Sequence, residues 1–205
     1  ETFYAFEEHH GTLVDIADLV LDALDGEGMV DADAGGEETT LRATERGLAV
    51  SQSYVDPESG TRFVAAVAEL ADREDVPAVA VLEVVCTTPD MTTPYFREDD
   101  RAPAYRFARA NAAALLGDPE EFQGDFEAWL EALKAVRVLL AVLDGENEGA
   151  ITEEYGIGPG DLRAVVERAA WLAGAFARVA EVEGSAHAGD IAAVADDLAE
   201  RTSAD

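Results

Sequence analysis

Apolar positions along this 205-residue chain recur for the most part at helical spacing, and the periodic stretches are separated by glycines, prolines and short polar clusters. Residues 1 to 10 read as the end of a helix. Thr12 can cap a second helix, in which Leu13, Ile16, Ala17, Val20 and Leu24 form the inner stripe. Met29-Val30 and Thr39 to Leu41 then read as short strands joined through Gly35-Gly36, with a helix from Thr44 to about Tyr54 behind them. After Asp56-Pro57 the pattern is helical throughout. It predicts helices near 59–73, 77–87, 103–116, 118–143, 160–183 and 188–201, with a short turn around 151–155. All 7 prolines fall at breaks or first turns, where a missing N–H costs least.

Helix, β-hairpin, helix is the second half of a winged helix. The expected fold is therefore mainly α: a partial winged-helix domain over 1–56, then a helical bundle over 57–205 that contains one long helix. The helix before the hairpin carries Asp15, Asp18 and Asp22 and no cation, which suits packing better than reading bases in a major groove. Arg42 and Arg46, on the wing, are candidate weak contacts to a nucleic-acid backbone. A solvated wing is the alternative.

The most informative stretch runs from Tyr155 to Ala180. Gly156-Ile157-Gly158-Pro159-Gly160 is a glycine-rich turn that stops one element, and Asp161 reads as the N-cap of the next. Leu162, Val165, Val166, Ala169, Leu172, Ala173 and Phe176 supply the apolar face of a long helix. Trp171 lies at the edge of that stripe. At about 100° per residue, Arg168 and Arg178 fall within roughly 60° of Trp171, and Arg163 about 80° away. An aromatic ring among cations on one rigid rod suits stacking on unpaired bases while holding phosphates. A partly buried packing tryptophan has the same pattern.

Charge narrows the picture further. The chain has 44 Asp plus Glu against 14 Lys plus Arg, a formal net charge of -30, and Lys134 is its lone lysine. Acid blocks often mean disorder, yet 48% of the residues are hydrophobic and periodic, so this is a folded domain with an acidic coat. Such a surface points to a halophilic source, because in molar salt the Debye length shrinks to about 3 Å and self-repulsion is screened. It also removes long-range steering toward DNA, so contact with a nucleic acid must be local and lean on stacking.

Other chemistries fail on spacing. The glycine turn lacks the Lys of a phosphate loop and the G-x-G-x-x-G of a dinucleotide fingerprint, so no ATP site is expected in this chain. Asp31, Asp33 and Gly35-Gly36 hint at a calcium loop, but the twelfth position from Asp31 is Arg42 where a bidentate Glu is needed. His9, His10 and His187 lack zinc spacing and read as solvent-facing. Cys86 is the 1 cysteine and reads as a small buried residue. Close carboxylate pairs such as Asp99-Asp100 and Asp196-Asp197 follow from composition, so no catalytic acid, base or metal ligand is assigned. Thr88-Pro89-Asp90-Met91 is a turn whose Asp can bond nearby N–H groups. Trp129, among Phe122, Phe126, Leu130, Leu133 and Val136, reads as core. No run reaches the length of a membrane span, and a cytoplasmic location is expected by default.

The wording Tyr-Gly-Ile-Gly-Pro-Gly-Asp-Leu-Arg, followed eight residues later by Trp-Leu, resembles the ratchet helix of the archaeal Ski2-like superfamily 2 DNA helicases. Thr2-Phe3-Tyr4-Ala5-Phe6, Leu41 to Gly47, Tyr54 to Ser59 and Thr88 to Met91 resemble the same family's winged-helix and ratchet domains, in the same order. The resemblance implies a fragment of an ATP-dependent 3′–5′ enzyme acting at replication forks, with motor domains before Glu1 and a helix-hairpin-helix domain after Asp205. It implies that Trp171 stacks on single-stranded or forked DNA while Arg168, Arg163 and Arg178 hold phosphates. ATP and magnesium would belong to the motor domains of the same polypeptide, leaving this piece inactive alone. The family pattern has a basic residue where this chain has Ala164, beside Arg163, which implies either a weaker backbone clamp or one that Arg168 takes over. The rival class is a stand-alone winged-helix regulator or adaptor with a helical dimerisation domain.

Overall fold

The computed structural model describes residues 10–33, 40–120 and 124–203, and over these the chain is helical apart from one small hairpin. The elements are α1 (His10–Gly26), β1 (Val30–Asp33), β2 (Thr40–Ala43), α2 (Glu45–Gln52), α3 (Pro57–Leu70), α4 (Ala78–Cys86), α5 (Glu98–Ala110), α6 (Phe126–Leu143), α7 (Glu148–Tyr155), α8 (Pro159–Val182) and α9 (Ala188–Ser203). β1 and β2 pair antiparallel, with Val30 opposite Ala43 and Asp33 opposite Thr40. The expected motifs at residues 2–6, and the hairpin tip at Gly35-Gly36, lie outside the described residues.

Helix starts are set by side-chain caps. Thr44 accepts from the Gly47 N–H, Asp56 from the Glu58 N–H with Pro57 in the first turn, Asp125 from Glu127 and Ala128, and Asn147 from Gly149. Each satisfies donors that the first turn of a helix leaves unpaired. Gly47 is required by close approach: a Cβ there would stand 2.0 Å from the Met29 carbonyl. That carbonyl accepts the Thr44 N–H at 3.0 Å, so this contact joins the hairpin to α2.

Several elements differ from the sequence pattern. Pro103 lies inside α5 and not at its start. The cause is Asp100, whose Oδ2 accepts from the Arg97 N–H at 2.8 Å and so begins the helix at Glu98. The segment 151–155 belongs to a full helix, α7, closed by Gly156 in the left-handed region at φ 62. The α1 stripe is only partly inward. Leu24 packs against the core, while Ile16 and Val20 are 54% and 49% exposed, because α1 rests on the remaining described residues chiefly through β1.

α8 is the hub of the bundle. It packs most extensively along α9 and also meets α2, α3, α4, α6 and α7. The predicted face of Leu162, Val165, Val166, Ala169, Leu172, Ala173 and Phe176 is buried throughout, extended by Val179 and Ala180. Phe176 stacks on Phe63 of α3 with ring centroids 5.1 Å apart. Leu130, Leu133 and Val136 of α6 complete the centre with the apolar run Val79 to Cys86 of α4.

Two buried ions organise this core. Glu83, in the otherwise apolar α4, accepts from the Leu116 N–H at 2.6 Å, the Gly117 N–H at 3.0 Å and the Trp129 Nε1–H at 2.8 Å. Trp129 is thus a core residue with its polar edge satisfied. Lys134, fully buried on α6, donates to Asp100 Oδ2 and to the Tyr95 carbonyl, each at 2.7 Å. Among the described residues no buried side-chain nitrogen or oxygen lacks a partner, as burial of polar groups requires. Cys86 is buried, and burial pushes its thiol well above the ordinary range. His187 is buried too, 3.3 Å from the Asp190 carboxylate, contrary to the solvent-facing expectation, because it starts the α9 turn that docks on α8.

Candidate nucleic-acid interface

α8 begins at Pro159 with Gly158 as its N-cap, so Asp161 is a first-turn residue and not the cap. Proline's fixed φ and missing N–H fit that first position, which shifts the start ahead of Asp161. Glycine at Gly156 lets α7 end in a left-handed turn, and the Gly156 carbonyl accepts from Arg97 at 3.2 Å. The long rod is therefore fixed at its start by the preceding loop and along its length by the core.

The outward face of α8 carries Ala164, Arg168, Trp171, Gly174 and Arg178. Trp171 is half-buried, and its Nε1–H donates to the Ser53 carbonyl at 3.1 Å. This bond orients the indole against the end of α2 and leaves part of the ring at the surface. The Arg168 guanidinium lies over the ring, 5.1 Å from its centroid. Such a cation–π contact holds both groups in place and leaves the guanidinium N–H edges available to an anion. Arg178 donates to the Gln52 side chain, also at the end of α2.

Two grooves flank this face. One, of about 360 Å³, runs beside Arg168 between the 92–95 loop and the first turns of α8, bordered by Asp161 and Ala164. The other, of about 440 Å³, lies between α8 and α9 beside Gly174 and Arg178. A Cβ at Gly174 would meet nothing within 4 Å, so the helix surface just past Trp171 is bare.

The candidate residues divide into four groups. Arg168, Trp171 and Arg178 share one face, as the helical spacing predicts. Arg163 points elsewhere, into a cavity of about 200 Å³ that it shares with Arg201, Glu148 and Pro159. Arg46 is committed to a bidentate pair with Glu183 at 2.7 and 2.8 Å, and also donates to the Glu27 carbonyl at 2.8 Å. Its hydrogen bond to Glu183 outweighs burial and pushes the guanidinium still further above its ordinary range. Arg42 is exposed on β2 opposite Asp31. The contribution of Ser53 and Gln52, which position the two key side chains, carries no signal in the sequence, since one acts through its backbone and both lie far from α8 along the chain.

Another pairing joins two sequence motifs. Asp90, expected to bond locally, accepts instead from the Asp56 N–H and the Ser59 hydroxyl, each at 2.7 Å. It thereby ties the turn after α4 to the start of α3. Among the described residues no group of three or more His, Cys, Asp or Glu is placed to hold a metal ion, and no helix is long and apolar enough to cross a membrane.

The described residues form a mainly helical bundle around one long central helix, with a partly buried tryptophan and two arginines on its outward face. The family described as archaeal helicase, domain 4, matches residues 79–202, and the chain belongs to that family. Similar proteins include the ATP-dependent DNA helicase Hel308 of Methanocella arvoryzae, 32% identical over 187 residues that cover 90% of this chain and 25% of the relative. The proteins of the same name from Caldivirga maquilingensis and Pyrobaculum calidifontis are 27% and 31% identical over 70% and 69% of the chain. The chain spans a quarter or less of the length of these relatives, 25%, 20% and 18%.

Proposed function

We propose that this chain is the strand-contacting part of an ATP-dependent 3′–5′ DNA helicase, in which α8 acts as a ratchet on single-stranded DNA during unwinding at replication forks. Residues 1–56 form a partial winged-helix domain, and residues 57–205 the ratchet domain. The observation that supports this reading is the partly exposed Trp171 ring, fixed at Ser53 and covered on one side by Arg168, on the same helix face as the groove beside Arg168 and the one beside Arg178.

A base stacked on that ring gains about 1–3 kcal/mol without any reading of sequence. The Arg168 guanidinium, already next to the ring, binds the adjoining phosphate. Arg178, about 15 Å further along α8 at 1.5 Å per residue, serves a phosphate further along the strand. Arg163 and the exposed Arg42 sit apart from this track and contribute weakly, and Arg46 acts in joining α2 to α8. The stacked base resists backward slip between strokes of the motor. The acidic coat fits a halophilic, cytoplasmic setting in which stacking persists while salt weakens phosphate contacts.

The nucleotide chemistry belongs to motor domains of the same polypeptide. The residues of this chain do not fit ATP and magnesium: its glycine turn is followed by Asp161 and Leu162, with no lysine to meet phosphates. Trp171→Ala in the full enzyme is expected to leave DNA-stimulated ATP hydrolysis largely intact while lowering base pairs unwound per ATP. Equal loss of both activities would refute the ratchet role.

A further inference from the structure

The loop that precedes α5 displays a second aromatic ring beside the same track. Along Thr93 to Phe96, Pro94 is buried and Phe96 packs against the core, whereas Tyr95 between them is 80% exposed. An exposed ring on a loose loop would mean little. This loop is pinned from both sides. The Tyr95 carbonyl accepts from the fully buried Lys134 at 2.7 Å, and Arg97 donates to the Gly156 carbonyl at 3.2 Å. The backbone is thereby locked to α6 and to the turn that starts α8, and the ring is held out with little freedom left to lose on binding.

Tyr95 borders the groove of about 360 Å³ whose other walls include Thr93, Asp161, Ala164 and Arg168. Arg168 is the side chain that covers Trp171. Arg168 therefore both lines the groove that Tyr95 borders and covers the partly exposed Trp171 ring. The groove lacks the crowd of cations a phosphate pocket needs, and Asp161 would repel an anion. Its carboxylate accepts hydrogen bonds only, which suits the exocyclic amine of a base.

We propose that this groove is a second base-binding subsite for single-stranded DNA, with Tyr95 as the stacking ring and Asp161 as an acceptor that favours cytosine or adenine over thymine. The proposal rests on the assignment of Trp171 to the strand-binding face. It makes Arg168 the phosphate contact between two adjacent stacked bases, and it assigns the small Ala164 a purpose, since a longer side chain there would fill the groove.

The test is fluorescence anisotropy of labelled oligo-dC and oligo-dT with the chain in molar potassium chloride. The original protein is compared with Tyr95→Ala, Tyr95→Phe, Asp161→Asn and Trp171→Ala. Tyr95 is exposed, so Tyr95→Ala keeps the fold, which circular dichroism verifies. Tyr95→Ala is expected to weaken oligo-dC binding about tenfold, within the range of one lost base stack, with Tyr95→Phe restoring it. Oligo-dC is expected to bind more tightly than oligo-dT, and Asp161→Asn to remove that difference. Unchanged binding in Tyr95→Ala alongside a loss in Trp171→Ala would overturn the second subsite and leave the Trp171 assignment standing. Unchanged binding in both would overturn both. Equal affinity of the original protein for the two oligonucleotides would overturn the role of Asp161.

Discussion

Lys134→Met is the perturbation whose cost follows most directly from the geometry. Methionine matches lysine closely in volume, so no cavity opens in α6, and the loss is confined to two hydrogen bonds. One is charge-assisted, to Asp100 Oδ2 at 2.7 Å, and the other goes to the Tyr95 carbonyl at 2.7 Å. A hydrogen bond to a charged group contributes about 1.5–3 kcal/mol and a neutral one about 1. Removing one partner of a fully buried pair costs about 3–5 kcal/mol. Asp100 keeps its bond from the Arg97 N–H and is 20% exposed, so water relieves part of the penalty. The expected loss is about 2–3 kcal/mol, equivalent to roughly 5–10 °C in a domain of this size. The assay is thermal and urea unfolding in molar potassium chloride, where exposed pairs are screened and this buried one is not. Asp100→Asn should cost less in the Lys134→Met background than alone. A variant as stable as the original protein, or purely additive double-variant losses, would refute the idea that Lys134 holds the α5 start and the Tyr95 loop together.

The same pair sets an acid limit. Burial works against the charged form of Asp100, but the Lys134 ammonium and the Arg97 N–H prevail and hold its carboxyl below the usual carboxylate range. A depressed folded value means this contribution is present above the unfolded pKa of about 3.9 and is lost as pH falls through the folded value. Lys134→Met should therefore flatten the acid limb of a stability-versus-pH curve, and an unchanged limb would place the acid sensitivity elsewhere. Arg46→Ala removes the bidentate pair with Glu183 and the bond to the Glu27 carbonyl. An expected loss of about 1–2 kcal/mol would be measured by urea unfolding, with a loss below about 0.3 arguing that the α2 to α8 contact stands without it. With a net charge of -30, the melting temperature should climb with potassium chloride, and a flat response would contradict the self-repulsion argument. Cys86, buried and with its thiol pushed up, should react with alkylating reagents only after unfolding.

The sequence made the long helix and its inner face legible because the spacing of Leu162 to Phe176 depends only on helix geometry, and that face is the one buried. The arginines follow the same geometry: Arg168 and Arg178 share Trp171's face, whereas Arg163, expected to hold phosphates with them, lines a separate cavity. What stayed hidden depends on contacts distant along the chain. Ser53 holds the indole through its backbone carbonyl, so no side-chain pattern marks it. Glu83 stands as a lone acid inside Ala-Val-Ala-Val-Leu-Glu-Val-Val-Cys, and that anomaly was the available sign of a carboxylate collecting three N–H donors. Lys134, the lone lysine in a chain with 13 arginines among its 14 Lys and Arg residues, was a similar sign of a fully buried cation. Pro103 misled because proline usually marks a helix start, whereas the Asp100 capping box overrode it.

The most direct measurement is the emission of Trp171 during titration with single-stranded DNA in molar potassium chloride. Trp129 is 2% exposed and bonded to Glu83, so quenching by stacked bases should come from Trp171 alone. Quenching that saturates with the strand, is weak with duplex and vanishes in Trp171→Phe is the predicted result. Binding that leaves the emission untouched, or quenches it equally in Trp171→Phe, would contradict the account.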